Sequence, residues 1–187
     1  MATGSARGAR RATAGARAGA TASYAAFLRG VSPSNAKMPD LARAFARAGC
    51  TDVATVASSG NVVFRAAGPL AQVEQQVAGA TTFMAFVRPL AELDALLARD
   101  PFAPFALPAD AKRVVTFLRA RPRPVPELPV SLELATIHAV DDREALSSYR
   151  PQPGNPVFMA LIERTFGKDV TTRTWDALAR IVAKAPR

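Results

Sequence analysis

Two short polar stretches hold the side chains of this 187-residue chain that are best equipped to bind or react. The first runs from Arg29 to Pro39 and offers Arg29, Asn35 and Lys37; the second, Ser58-Ser59-Gly60-Asn61, offers two hydroxyls and a carboxamide. Cations, hydroxyls, a carboxamide and free backbone N–H groups suit an anion such as phosphate or carboxylate. A third stretch, Thr171-Thr172-Arg173-Thr174, adds Thr172 and Arg173 as candidates for the same chemistry. Each stretch also has a structural reading. Gly60 and Asn61 serve a turn, Ser58 and Ser59 bond loop backbone, and Arg29 snorkels off a sheet edge. A threonine of the third stretch caps the last helix, and Trp175 anchors that helix in the core.

Other chemistries are poorly served. His138 is the only histidine; it lies on or just after a strand and reads as a hydrogen-bonded structural residue, with no motif for a Ser/His/Asp set. Cys50 is the only cysteine, which rules out an internal disulfide and a cysteine-rich metal site; it reads as a small half-buried residue rather than a nucleophile. Asp141, Asp142 and Glu144 cluster, but they look more like the solvated start of a helix than a divalent-ion site. There is no Walker motif and no Gly-x-Gly-x-x-Gly, so NTP hydrolysis and dinucleotide redox chemistry are not indicated. No cofactor or metal is implied, and no catalytic residue is assigned.

Composition sets the frame. Hydrophobic residues make up 49% and charged residues 21%, the profile of a chain that folds around a core. No run of apolar residues is long enough for a transmembrane helix, and the opening residues lack the apolar middle of a secretory signal, so a cytoplasmic setting is expected. Net charge is +9, but Arg7, Arg10, Arg11 and Arg17 supply four of those charges within residues 1–22, which hold no acid. The remaining 165 residues carry 20 basic and 15 acidic groups, less than the dense stripe of a dedicated phosphate-backbone binder. Residues 1–22 read as a disordered basic arm of Ala, Gly, Thr and Arg. An unstructured extension or a start placed too early fits it best; an Arg-rich transit peptide and a weak electrostatic arm for nucleic acid are the alternatives.

The elements that must position the polar stretches follow from apolar spacing. Tyr24–Leu28 is a short apolar run closed by Arg29-Gly30, as expected of a buried strand. Pro39 opens a helix whose Leu41, Phe45 and Ala48 share one face, stopped by Gly49. Asp52–Ala57 and Val62–Arg65 read as paired strands, with Gly60-Asn61 as a two-residue type II′ turn that sets Ala57 opposite Phe64 and keeps Val53, Thr55, Val62 and Phe64 on one face. Gly68-Pro69 opens a second helix through Leu70, Val73 and Val77, stopped by Gly79, and Thr82–Val87 closes the unit as a strand. This β-α-β-β-α-β order over residues 23–87 is a ferredoxin-like split βαβ lobe, with the first strand between the third and fourth. In that topology the loop 29–39 and the turn 58–61 meet at one sheet edge, beside the N-terminus of the first helix.

Residues 88–187 form a smaller α+β half. A helix from Pro89 through Leu90, Leu93, Leu96 and Leu97 ends at Asp100-Pro101. The loop 101–111, with Phe102, Phe105 and Leu107, is too apolar to hang in water. Arg113–Leu118 is a strand, Arg121–Pro129 a proline-rich extended connector, and Val130–Leu134 a strand running on towards Val140. Glu144–Ser148 is weak. Two final helices follow, one through Phe158, Leu161, Ile162 and Thr165 up to Gly167, and one through Trp175, Leu178, Ile181 and Val182. No internal repeat is evident.

Four segments carry a family resemblance. Phe27-Leu28-Arg29-Gly30-Val31, Asn35-Ala36-Lys37-Met38-Pro39 and Ser58-Ser59-Gly60-Asn61-Val62-Val63-Phe64 resemble the N-terminal signature of the family called domain of unknown function 1697. Phe166-Gly167-Lys168-Asp169-Val170-Thr171-Thr172-Arg173-Thr174-Trp175 is similar to its C-terminal signature, so the resemblance spans about residues 23–184. It implies a bacterial, soluble α+β protein of ferredoxin-like topology and no particular activity. The chain departs from the pattern at Ser32, where the family often has asparagine. It departs again at Gly154-Asn155-Pro156-Val157-Phe158, where the family often has a Gly-(aromatic or Arg)-Ser/Thr-Lys-Leu stretch.

The residues point first to a non-catalytic binding protein for an anionic ligand, a nucleotide or nucleic acid, held at Arg29–Lys37 and Ser58–Asn61. The second reading is an enzyme acting on a small anionic metabolite in a cleft between the lobes, with Arg29 and Arg173 as clamps. The third is a ligand-free interaction protein using an exposed apolar patch near Phe102–Leu107.

Overall fold

The computed structural model describes residues 20–154 and 157–187. The expectations for the arm therefore fall almost wholly outside the described residues. Ala20, Thr21 and Ala22 are the exception: Thr21 and Ala22 begin β1 (Thr21–Leu28) and pair with Ala67 and Ala66.

After β1 come α1 (Met38–Arg47), β2 (Thr51–Val56), β3 (Asn61–Ala67), α2 (Leu70–Ala80), β4 (Ala85–Pro89) and α3 (Leu90–Arg99). The first sheet is antiparallel in the order β2-β3-β1-β4, so β1 does lie between the third and fourth strands. Its central strands read as unbroken apolar runs because both faces are covered. Tyr24, Ala26, Leu28, Val62 and Phe64 pack beneath Leu41 and Phe45 of α1 and Val73 and Val77 of α2, while Ala25, Phe27 and Val63 face the opposite way. The β2–β3 register differs from expectation. Val56 pairs with Asn61 and Thr55 with Val62, so the connection is a four-residue loop, Ala57–Gly60, rather than a two-residue turn. Thr55 and Val62 keep the same face, as expected. Gly60 sits at φ +72°, and an added Cβ would lie 2.7 Å from Val31 Cβ, so the loop must have glycine there. Helix α2 runs through Gly79 to Ala80 instead of stopping at it, and β4 begins three residues later than expected, at Ala85.

The second half is richer in strands than its sequence suggests. It holds β5 (Lys112–Leu118), β6 (Val130–Leu132), β7 (Ala135–Asp141), β8 (Glu144–Tyr149), α4 (Val157–Phe166), β9 (Val170–Thr174) and α5 (Trp175–Ala183), with the antiparallel sheet order β6-β7-β8-β5-β9. The expected single strand from Val130 to Val140 is two strands, because Glu133 turns at φ +49° and Leu132 pairs with Ala135. Asp141, Asp142 and Glu144 do not start a helix: Asp142 (φ +50°) turns the chain so that Asp141 pairs with Glu144, and the weak Glu144–Ser148 segment becomes a central strand. The polar Val170–Thr174 stretch is an edge strand paired with β5. The expected division at residues 87 and 88 falls inside β4.

The two halves repeat one topology. Strip β6 from the second sheet and its order, β7-β8-β5-β9, is that of the first with β5, β7, β8 and β9 in place of β1, β2, β3 and β4. Helix α4 stands between the third and fourth strands as α2 does, and α5 follows β9 directly as α3 follows β4. Where the first lobe has α1, the second has the proline-rich connector and β6. Phe27-Leu28-Arg29 ends one first strand and Phe117-Leu118-Arg119 the other. The Phe27 and Phe117 rings stack at 4.1 Å with an 11° interplanar angle, where the inner faces of the two sheets meet. Leu90, Leu93 and Leu96 of α3 and Trp175, Leu178 and Ile181 of α5 complete that shared core. Both rings are fully buried, so truncating either to alanine removes about 3–5 kcal/mol of stability. Phe102 packs edge-on against Trp175 at 5.2 Å, and Phe105 and Leu107 lie on the same core. The 102–107 segment is therefore not an exposed apolar patch.

Candidate functional site

Antiparallel pairing fixes what lies at the ends of the two first strands. Leu28 N donates to Gly60 O at 2.7 Å, which draws the 58–61 loop onto the Arg29 corner. Edge strand β9 brings Arg173 to the same place from the other lobe. Its Nε donates to Asn61 Oδ1, Nη1 to Thr171 Oγ1 (2.8 Å) and Thr172 O (2.7 Å), and Nη2 to Leu28 O and Ser59 O (both 3.1 Å). All five guanidinium N–H groups are thereby engaged. Arg29 reaches in the reverse direction, donating Nη1 to Val170 O (2.7 Å) and Nη2 to Glu163 Oε1 (2.8 Å). Between them lies an open cavity of about 340 Å³ bordered by Arg29, Ser59, Met159, Thr172 and Arg173.

The predicted residues divide accordingly. Arg29, Ser59, Thr172 and Arg173 border this cavity, and Asn61, 2% exposed, stands directly behind it. Asn35 instead braces its own loop, accepting from Ser32 N at 2.8 Å and donating to Gly30 O at 2.7 Å. Lys37, at the N-cap of α1, and Ser58 are exposed and do not border the cavity, so the first helix N-terminus takes no part in it. Thr172 and Arg173 lie on β9, ahead of the last helix; its cap is Thr174, whose Oγ1 accepts from Ala177 N at 3.3 Å, and Trp175 is in the core as expected.

The repeated topology supplies a counterpart that sequence reasoning missed. Arg88 and Arg173 are each the second residue before the helix that follows a fourth strand. Arg88 donates Nε to Glu144 (2.5 Å) and Nη2 to Leu118 O (2.8 Å) and Arg143 O (3.1 Å), and its guanidinium lies over the Phe117 ring. Arg173 makes the equivalent contacts with Asn61 and Leu28 O, over the Phe27 ring, and bonds Ser59 O, one residue before the counterpart of Arg143. Glu144 opposes Phe117 in the β5–β8 ladder as Asn61 opposes Phe27 in the β1–β3 ladder. One copy of the arrangement holds a carboxylate and the other a carboxamide.

The electrostatics differ as a result. Arg88 is 1% exposed; burial lowers its pKa and raises that of Glu144, and their mutual attraction opposes both shifts. Around Arg173 every acceptor is neutral, and burial alone lowers the guanidinium to about 10. It stays protonated at neutral pH with no carboxylate paired to it among the described residues. A half-buried positive charge of this kind projects into the cavity beside it. Elsewhere, His138 Nε2 bonds Ser148 Oγ at 2.8 Å and the ring stacks on Phe105 at 4.6 Å; burial lowers its pKa. Burial pushes the Cys50 thiol up to about 11, which leaves it unreactive at neutral pH.

No helix among the described residues is long and apolar enough to cross a membrane. No curated protein matches the chain. Among solved structures, the conserved bacterial protein SP0830 from Streptococcus pneumoniae is similar in fold. It has a TM-score of 0.65 and 16% identity, and the match covers 88% of this chain and 99% of that one. The family model described as Protein of unknown function (DUF1697) matches residues 21–128, taking in β1 through β5 and the Arg29 and Ser58–Asn61 corner, and the chain belongs to that family.

Proposed function

We propose that this protein is a non-catalytic binder of an anionic ligand, a nucleotide or nucleic acid, which it holds by a phosphate group in the Arg29–Arg173 cavity. One observation carries the reading: Arg173 has Asn61 where its counterpart Arg88 has Glu144, so this copy keeps an unbalanced positive charge beside an open cavity. With its donors already engaged, Arg173 supplies field rather than direct contacts. Arg29 swings from Glu163 to the ligand, and Ser59 and Thr172 offer hydroxyls. Binding is favoured over catalysis because, among the described residues, the cavity lining contains no histidine, cysteine or carboxylate; the nearby Glu163 is held by Arg29 until the ligand takes its place. In the same reading the first lobe is ferredoxin-like and the protein works in the cytoplasm, consistent with a lone reduced cysteine.

Calorimetric titration of the full chain with inorganic phosphate, pyrophosphate and adenosine monophosphate tests the proposal. Asn61→Asp sets a carboxylate against Arg173 and is expected to weaken binding at least about tenfold, roughly 1.4 kcal/mol. Asn61 Nδ2 also donates to Val56 O at 3.0 Å, so folding of that variant is checked by circular dichroism. Arg29→Gln leaves the turn intact and is expected to weaken binding as well. Wild-type failure to bind any of the three anions, or unchanged affinity in both variants, overturns the proposal.

A further inference from the structure

The Arg29–Arg173 cavity does not stand alone. Val170, on its border, also borders a cavity of about 460 Å³ formed where Arg119, Arg123 and Pro124 of the connector pass Thr165, Phe166 and Asp169. Arg119 in turn borders a third cavity, of about 370 Å³, beside Thr82, Phe83 and Arg88. Arg29 N donates to Met84 O at 2.8 Å, which ties the first cavity to the strand start that lines the third. The three concavities are thus consecutive around one end of the molecule, where the first strands finish and the fourth strands begin.

Their charges do not cancel. Glu163 is engaged by Arg29, Glu144 by Arg88 and Glu74 by Arg143. Asp169, 3.8 Å from Arg119, is then, among the described residues, the one lining carboxylate left to oppose Arg119, Arg123 and Arg173. Arg119, Arg121 and Arg123 are all exposed, and Arg121 and Arg123 have no ion pair among the described residues. Pro122 lies between Arg121 and Arg123, and residues 119–129 form neither helix nor strand, so the side chains do not fold onto a helix of their own. Phe83 and Phe166, both half-buried, present ring surface in the third and second cavities.

We infer that these cavities form one track for single-stranded nucleic acid, in which the Arg29–Arg173 cavity takes one phosphate and the Arg119–Arg123 stretch takes the phosphates that follow. The inference rests on the proposed anion site and goes beyond it by naming an extended ligand rather than a compact one. Successive cationic concavities with aromatic surface between them match a phosphodiester chain whose unpaired bases can stack. A duplex keeps its base faces inside and cannot use the rings.

Fluorescence anisotropy of the full chain with labelled oligothymidylates of increasing length tests this, with adenosine monophosphate titrated in parallel. Affinity is expected to rise with length to a plateau of about 4 nucleotides or more. Two exposed residues, replaced in Arg119→Ala/Arg123→Ala, are expected to shrink the logarithmic salt slope by about 1.4, from about 0.7 per phosphate contact, while monophosphate binding stays unchanged. Flat length dependence, or a double variant that binds oligonucleotides as wild type does, overturns the track even where monophosphate binding persists. Equal binding of a duplex overturns it too, as does equal competition by inorganic polyphosphate, which shows that charge alone is read. Loss of monophosphate binding in wild type, with length dependence retained, would instead sink the single-cavity reading.

Discussion

Arg88 and Arg173 hold the same place in two copies of one topology, and the third strand sets a different functional group against each. Each leaves the end of a fourth strand, crosses to the other lobe, lies over the phenylalanine of its first strand and bonds the leucine carbonyl that follows. Opposite Arg88 the third strand offers Glu144; opposite Arg173 it offers Asn61. In the first copy the guanidinium is buried against a carboxylate and ties the lobes together, although it too borders an open cavity, of about 370 Å³. The second is half-open and cationic. A shared scaffold thus sets a carboxylate against one buried arginine and a carboxamide against the other, and the proposed binding role rests on that exchange.

Removing the distinction from the Arg88 side has the largest expected effect. Glu144→Gln leaves Arg88 buried without a counter-charge and is expected to cost about 3 kcal/mol or more, read as a lower urea midpoint at unchanged slope. A change under about 0.5 kcal/mol would mean that the carbonyls of Leu118 and Arg143 suffice to hold the guanidinium. Next comes the loop that presents Asn61. Gly60→Ala forces a Cβ against Val31 at a positive φ and is expected to cost about 1–3 kcal/mol. Its position corresponds to Arg143 in the other lobe, since Leu118 N bonds Arg143 O as Leu28 N bonds Gly60 O; there the positive φ falls one residue earlier, on Asp142.

The smallest effect concerns His138, which has no partner of its kind in the first lobe. Its pKa is depressed in the folded state, so the neutral ring contributes stability above the unfolded value near 6.5 that is lost as pH falls through the folded value. His138→Asn is expected to flatten that part of the stability profile, measured by urea unfolding between pH 7.5 and 5. An unchanged profile would place the titration elsewhere.

The lobes also differed in how legible they were. The first announced itself through Pro39, Gly49 and the apolar runs of β1 and β3, because capping residues and two-sided burial leave a local signature. In the second, β8 buries Ser147 and Ser148, and β9 is threonine-rich, so strands read as loop and cap. Its tight turns at Glu133 and Asp142 use positive-φ residues that are not glycine and went unseen. The meeting of Arg29 with the 58–61 loop followed from strand order alone. The part played by Arg173 did not, since it depends on a strand pairing 141 residues away from Arg29, and Lys37 and Asn35 were grouped with the site by chain proximity rather than by direction.

The central claim is that the carboxamide copy binds an anion and the carboxylate copy does not. Side-chain Nε–Hε resonances of the arginines in isotopically labelled full chain, followed during a phosphate titration, test it most directly. The account predicts saturable shifts at Arg29 and Arg173 with Arg88 unmoved. Equal movement at Arg88, or shifts confined to exposed arginines such as Arg121 and Arg180, would contradict it.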